Sequence, residues 1–476
     1  MSHYQTVIGL EVHAELSTRS KVFCGCGTAF GAPPNSQVCP VCLGFPGVLP
    51  VLNREVVERA LRVAVALGCE INSPTIFERK NYYYPDLPKN YQISQKRTPL
   101  GRGGQLEILV EGEPMSVPMW EIHLEEDAGK LLHPEGEAEI TLVDYNRSGM
   151  PLLEIVCAPK LHTLPQVDAY MTGLRNLLIY LDVSDCKMEQ GHLRFEANVD
   201  VRPAGMTAPG PRVEMKNLNS FRAVLHALDY EIRRQTEVLE SGGKLVQETR
   251  LWDDQRGLTR PMRSKEEAQD YRYFPEPDLP PLEIPAEWIE RVRANLPELP
   301  HARRQRFVTQ YGLSAYDADI LTGDKALSDF YEQTVALGAD AKAAGNWVMN
   351  ELSRILNERS QTIGASRVTP RHLAELIALI SRGSISGKIA KDVFAEMFES
   401  GKLPEEIVSA RGLTQISDEE AIATLVDRVI AENPTVVADF KGGKEKSLAF
   451  LVGQVMKLSQ GRANPQLVNK LLRERL

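Results

Sequence analysis

The chain has 476 residues, 43% of them hydrophobic and 25% charged, and a net charge of −9. That length exceeds one comfortable core, so two or three domains are expected. The acidic balance excludes a protein that coats nucleic acid indiscriminately but leaves room for a local basic patch. No basic-then-apolar leader opens the sequence and no run is apolar for as long as a membrane span requires, which points to a cytoplasmic protein. Seven cysteines in such a chain suggest thiols or metal ligands rather than a disulfide framework.

The first predicted element is a strand over 6–16, in which Ile8, Leu10, Val12, Ala14 and Leu16 share one face and Glu11, His13 and Glu15 the other. Next come Cys24-x-Cys26 and Cys39-Pro-Val-Cys42, two close thiol pairs across a short loop. This spacing suits a tetrahedral Zn2+ with no open position, hence a structural ion. Cys69, Cys157 and Cys186 lack such spacing and are expected as small buried hydrophobes. A helix is predicted over 53–68, from the Asn53 N-cap to the Gly68 stop, with Val56, Val57, Ala60, Leu61, Ala64 and Leu67 on its apolar side. The stretch 80–96 combines four tyrosines with Lys80, Lys89 and two prolines, and suits stacking on an RNA base, lining a polar passage, or packing on a sheet.

The alternation returns at 119–129, with Trp120, Ile122 and Leu124 opposed to Glu121, His123, Glu125 and Asp127, which leaves Glu126 on the apolar side. Arg147 and Ser148 stand beside a tight Gly149 turn that leads into a strand carrying Glu154. An arginine there can hold a phosphate or carboxylate through two hydrogen bonds. Helices are predicted over 165–181 and 220–240. Between them, Arg194, Glu196, Asn198, Asp200 and Arg202 alternate with apolar residues, and Glu214 and Lys216 share one side of a further short strand with Arg212. Residues 270–285 are too proline-rich for a helix and form an extended strap. Twenty-six of the thirty prolines lie at or before Pro300, so the remainder should be helical, with breaks near Gly383, Gly401 and Gly412. From Lys441 onward eight Lys/Arg face two Glu, a basic terminus able to grip RNA phosphates or simply a solvated helix face.

These elements predict an α+β fold: an antiparallel-sheet cradle domain with covering helices over 1–295, an all-α helical domain over 296–412, and a small α-helical tail domain over 413–476. A wet face explains any one acidic strand. Several such strands side by side repel one another unless a cation intervenes, and oxygen donors with an added imidazole suit Mg2+ and the phosphates it carries. No G-x-x-x-x-G-K-[ST] loop, H-E-x-x-H or glycine-rich serine nucleophile is present. Any ATP chemistry would therefore rest on carboxylates and Mg2+.

The motifs VIGLEVHAEL, KNYYYPDLPKNYQISQ, HLEEDAGK, NRSGMPLLEIV, EMKNLNSFR, DYRYFPEPDLPPL, GNWVMNEL and LVGQVMKLSQGRANPQLVNKLL, in this order, resemble the B subunits of glutamine-dependent aspartyl/glutamyl-tRNA amidotransferases, the GatB family. The resemblance implies a heterotrimer with an amidase A subunit and a small C subunit. Such a complex acts on misacylated Glu-tRNA(Gln), Asp-tRNA(Asn) or both. ATP phosphorylates the side-chain carboxyl and ammonia from the amidase then displaces phosphate, so the cofactors implied are ATP, Mg2+ and structural Zn2+. It carries catalytic roles onto Glu11, His13, Glu125, Glu126 and Asp127, with Glu11, His13 and Glu125 on the magnesium. ATP or substrate binding falls to Arg147, Ser148, Glu154, Glu214 and Lys216, an ammonia passage to Lys80 and Lys89, zinc to Cys24, Cys26, Cys39 and Cys42, and tRNA binding to the tail. In LRFEAN, Glu196 stands where many members carry the shorter Asp, which puts a direct ion contact there in question. The competing reading is a non-catalytic, zinc-containing tRNA-binding scaffold.

Overall fold

A computed structural model describes residues 3–134, 140–264, 270–413, 419–459 and 462–476. The stretch 414–418, at the expected start of the tail domain, and Gly461 of the GRANPQ motif lie outside the described residues. The chain divides into two compact units, Met1–Ala302 and Arg303–Leu476.

The first unit is built on a ten-stranded sheet. Its central run is Glu248–Asp253, Val213–Leu218, Leu193–Pro203, Tyr4–Glu15, Pro151–Cys157 and Glu113–Glu126. Neighbours are antiparallel except that Val213–Leu218 and Glu248–Asp253 run parallel. The sequence alone predicts antiparallel pairing throughout. The helix Phe221–Glu240 supplies the long crossover a parallel pair needs, which no hairpin could provide.

Period-two alternation decides which face is wet. Leu10 opposes Ala197, while Val12 opposes Phe195 on one neighbour and Ile155 on the other, so their side chains make one continuous apolar back. Ile8, Leu10, Val12, Ile122, Leu124 and Ile155 are all buried there. Covering helices seal it. Asn53 caps Arg54–Ala66 by accepting from the Glu55 amide, Thr163 caps Leu164–Tyr180, and Ser220 caps Phe221–Glu240. Gly68, at φ 71°, then turns the chain off the first helix where a side chain would be strained. The proline-rich strap supplies Phe274–Pro275 to a separate small sheet with Glu78–Asn81 and Tyr91–Ser94.

The second unit is helical and holds two apolar cores. One, centred on Phe307, Tyr331, Leu373 and Phe394, is enclosed by helices that include Lys325–Ala336, Pro370–Ser381 and Gly387–Ser400. The other, centred on Ile422, Leu451, Val455 and Leu472, is enclosed by Glu419–Glu432, Lys446–Leu458 and Pro465–Arg475. Among the described residues no helix is long and apolar enough to cross a membrane.

A buried ionic cluster ties the crossover helix to Glu248–Asp253 and to its antiparallel neighbour Leu258–Ser264. Glu231 is 0% exposed and accepts from Arg234, Gln235 and Thr259, with Arg250 Nε 3.5 Å away. Arg250 also bonds Glu248 at 2.9 Å. Removing one member of such a cluster leaves buried charge uncompensated, so Glu231→Ala should cost about 3–5 kcal/mol. Urea denaturation followed by tryptophan fluorescence should show the loss, and an unchanged midpoint would contradict it.

Candidate catalytic and metal-binding site

The polar front of the sheet is where the register matters. His13 lies directly opposite Glu154 on one neighbouring strand and Arg194 on the other, and Glu154 in turn lies opposite His123. His13 Nε2 is 3.5 Å from Glu154 and 3.7 Å from Glu125, while His123 Nε2 is 3.0 Å from Glu154. One donor atom each from His13, Glu125 and Glu154 lies within 4.8 Å of the others, a mixed nitrogen and oxygen set able to hold a small divalent cation.

A second acidic group adjoins it. Glu11 lies opposite Glu196, and Glu11, Glu196 and Glu214 also bring ligand atoms within 4.8 Å of one another. Asn198 Nδ2 donates to Glu11 at 2.9 Å. Lys216 donates to both Glu196 oxygens at 2.8 and 2.7 Å and stands 3.4 Å from Glu214, which also accepts from Thr249. The lysine leaves this group partly neutralised before any ion arrives.

Titration follows from crowding. Burial raises the Glu11 carboxyl, and the charges of Glu154, Glu196 and Glu214 raise it further. Glu125 is raised by burial and then by Glu154. Burial opposes charge on His13, but the hydrogen bond to Glu154 and the charges of Glu154 and Glu125 outweigh it and hold the imidazole at about 9. Burial would likewise raise Glu154, yet the two histidines keep it well below the usual carboxylate range. Crowding thus disfavours full ionisation of Glu11 and Glu125, and a divalent cation would supply compensation directly. The donor chemistry and the charge imbalance both fit Mg2+.

The remaining candidates fall in different places. Asp127 is engaged by Arg194 at 2.7 Å and Arg147 at 3.5 Å, which hold its carboxyl low against burial. Arg147 also donates to the carbonyls of Ala128 and Gly129 at 3.0 and 2.7 Å. Ser148 is buried and its hydroxyl donates to the Cys42 carbonyl, so it braces the cysteine loop; Gly149, at φ 81°, makes the turn beside it. Glu126 accepts from the Ile93 amide at 2.9 Å and from Lys89 Nζ, beside a cavity of about 210 Å³ also lined by Phe45 and Tyr91. Lys80 lies 5.1 Å from the Tyr271 ring centre and 6.0 Å from that of Tyr82. Despite burial, the charge of Glu125 holds its ammonium above the ordinary range.

The structure thus groups His13 and Glu125 with Glu154 and puts Glu11 in the adjoining cluster with Glu196 and Glu214. The sequence motifs alone group Glu11 with His13 and Glu125. They also leave His123 out of the site, although its place on the polar side of an alternating strand is the available signal. Glu196 reaches the second cluster with its longer side chain.

The four cysteines Cys24, Cys26, Cys39 and Cys42 bring their sulfurs within 4.8 Å of one another, and those of Cys39 and Cys42 are 4.0 Å apart. Tetrahedral zinc with bonds of about 2.3 Å sets sulfurs about 3.8 Å apart, so a small contraction completes the site. Lys21, 0% exposed, places Nζ 3.7 Å from Cys42 Sγ. It offsets part of the negative charge that four thiolates would bring. Cys157 and Cys186 are buried as expected, whereas Cys69 is half-buried with its thiol on the Gly103 carbonyl.

Comparison with known proteins gives the family of the chain. Residues 6–290 match the family model described as the GatB/GatE catalytic domain, and residues 329–476 match that of the GatB domain. The B subunit of the aspartyl/glutamyl-tRNA(Asn/Gln) amidotransferase of Moorella thermoacetica is 57% identical over 474 residues, covering 99% of this chain and 100% of that protein. The protein of the same name from Carboxydothermus hydrogenoformans is 55% identical over 479 residues, covering 100% of this chain and 99% of the relative. The chain belongs to the GatB family, the B subunits of aspartyl/glutamyl-tRNA(Asn/Gln) amidotransferases.

Proposed function

We propose that this chain is the B subunit of a cytoplasmic, glutamine-dependent tRNA amidotransferase, and that its cradle phosphorylates and then amidates the side-chain carboxyl of Glu-tRNA(Gln) or Asp-tRNA(Asn). The observation that carries the catalytic part is the convergence of His13, Glu125 and Glu154 on one face of the sheet. A carboxylate is a poor electrophile. Transfer of the γ-phosphoryl group of ATP gives a mixed anhydride, ammonia attacks its carbonyl carbon, and phosphate leaves to yield the amide.

His13, Glu125 and Glu154 would hold Mg2+, which when bound neutralises charge on the transferring phosphoryl group. His123 fixes Glu154 from the far side, and Asn198 orients Glu11. Glu11, Glu196 and Glu214 give the same face a second acidic group, with Lys216 available to meet phosphate oxygens. Arg194 and Arg147, held by Asp127, supply further positive charge at the rim.

Ammonia would come from the amidase A subunit, with the small C subunit completing a heterotrimer, since this chain has no glycine-rich serine nucleophile. The Lys89–Glu126 pair beside the 210 Å³ cavity, together with Lys80, would line its passage. The zinc site would brace the loop that walls this cavity, which Cys24 and Cys42 help to line. Tail residues 413–476, with their own core and exposed Lys446, Lys457 and Arg473, would grip the tRNA body.

In the assembled enzyme, Glu154→Gln should lower tRNA-dependent ADP formation about a hundredfold or more while leaving tRNA affinity and partner glutaminase activity intact. Wild-type ADP formation in that variant would overturn the catalytic assignment. Elemental analysis should find one zinc per chain, lost in Cys39→Ser; full retention of zinc would refute the four-cysteine site.

A further inference from the structure

The tyrosine-rich stretch remains to be assigned. Tyr82 and Tyr271 pack edge to face, with ring centres 6.0 Å apart and planes at 74°, and Tyr271 and Tyr273 do the same at 6.0 Å and 70°. Edge-to-face packing leaves ring faces that neither partner covers. Lys80 Nζ lies 5.1 Å from the Tyr271 ring centre. The next two rings along the chain are open to solvent, Tyr83 at 84% and Tyr84 at 55% exposure.

This cage is fixed in place and close to the acidic front. The Asn81 amide donates to the Tyr271 carbonyl at 2.9 Å, and its side chain donates to the Arg272 carbonyl at 2.9 Å. Lys80 pairs across the small sheet with Gln92, whose side chain donates to the Glu126 carbonyl at 2.7 Å. Two residues on, the Ser94 hydroxyl reaches Glu125 Oε2 at 3.4 Å. The rings around Lys80 therefore stand one strand away from the proposed phosphorylation site.

We propose that Tyr82, Tyr271 and Tyr273 form a stacking cage for the terminal adenine of the aminoacyl-tRNA. The inference rests on the reading that the reacting carboxyl is presented at Glu125 and Glu154. That carboxyl is separated from the terminal adenine only by the aminoacyl group and one ribose, so the base must lodge beside the acidic cluster. The adenine of ATP lies beyond a ribose and the whole triphosphate when its γ-phosphoryl group reaches the same point, which places it farther away. Unpaired RNA ends are held by aromatic stacking, and a nearby lysine adds cation–π attraction.

The test uses the assembled enzyme and tRNA carrying 2-aminopurine at its 3′ terminus, whose fluorescence falls when the base stacks. Wild type and Tyr271→Phe should quench it on binding, whereas Tyr271→Leu should not. With misacylated tRNA, Tyr271→Leu should raise KM for the tRNA about tenfold and leave KM for ATP unchanged. Tyr82→Leu provides the same readings should Tyr271→Leu fail to fold. Quenching retained in the leucine variants would overturn the proposal, as would a raised KM for ATP with that for tRNA unchanged, which would assign the cage to the nucleotide. Quenching reports binding alone, so it should persist in Glu154→Gln and is independent of whether the acidic cluster carries the phosphorylation.

Discussion

Five carboxylates, Glu11, Glu125, Glu154, Glu196 and Glu214, crowd one face of a single sheet, and the arrangement depends on how their mutual repulsion is relieved. Like charges at cross-strand spacing destabilise a sheet. Here the relief is built in from the flanks: His13 and His123 bracket Glu154, Lys216 binds Glu196, and Arg194 and Arg147 take up Asp127. Burial, and the charge these partners leave uncompensated, raise the Glu11 and Glu125 carboxyls. A divalent cation would relieve that crowding, and the phosphates it accompanies would be accommodated on the same face.

The apolar back makes that arrangement tolerable. The same alternation that lifts each acid to the front sends Leu10, Val12, Ile122, Leu124 and Ile155 into a dry core beneath capped helices. Each of these side chains contributes about 1.5–3 kcal/mol on burial, and together they can offset the electrostatic cost of the front. The Glu231 cluster on the crossover helix secures Glu248–Asp253, the parallel neighbour of the strand that carries Glu214 and Lys216. The cysteine loop, braced by Ser148, then walls the side where Lys89 meets Glu126.

Which residues share a face was legible from periodicity alone: Glu11, His13 and Glu125 lie forward, and Glu126 lies behind. Which of them meet was not. Glu154 stands between two histidines only because its strand is inserted between Tyr4–Glu15 and Glu113–Glu126, and local alternation carries no information about strand order. The parallel pair was hidden for a similar reason, since a crossover helix has the same amphipathic pattern as any covering helix. The convergence of the four cysteines was legible because two short spacings constrain thiols by themselves. The bracing contact of Ser148 was hidden because its turn is visible in sequence but the Cys42 carbonyl it meets lies far away along the chain.

Locating the cation tests the central claim most directly. Crystals of the assembled enzyme soaked with Mn2+ and a non-hydrolysable ATP analogue, measured at the manganese absorption edge, should give an anomalous peak bounded by His13 Nε2 and carboxylate oxygens of Glu125 and Glu154. A peak confined to some other part of the cradle, or none at saturating Mn2+, would contradict the account.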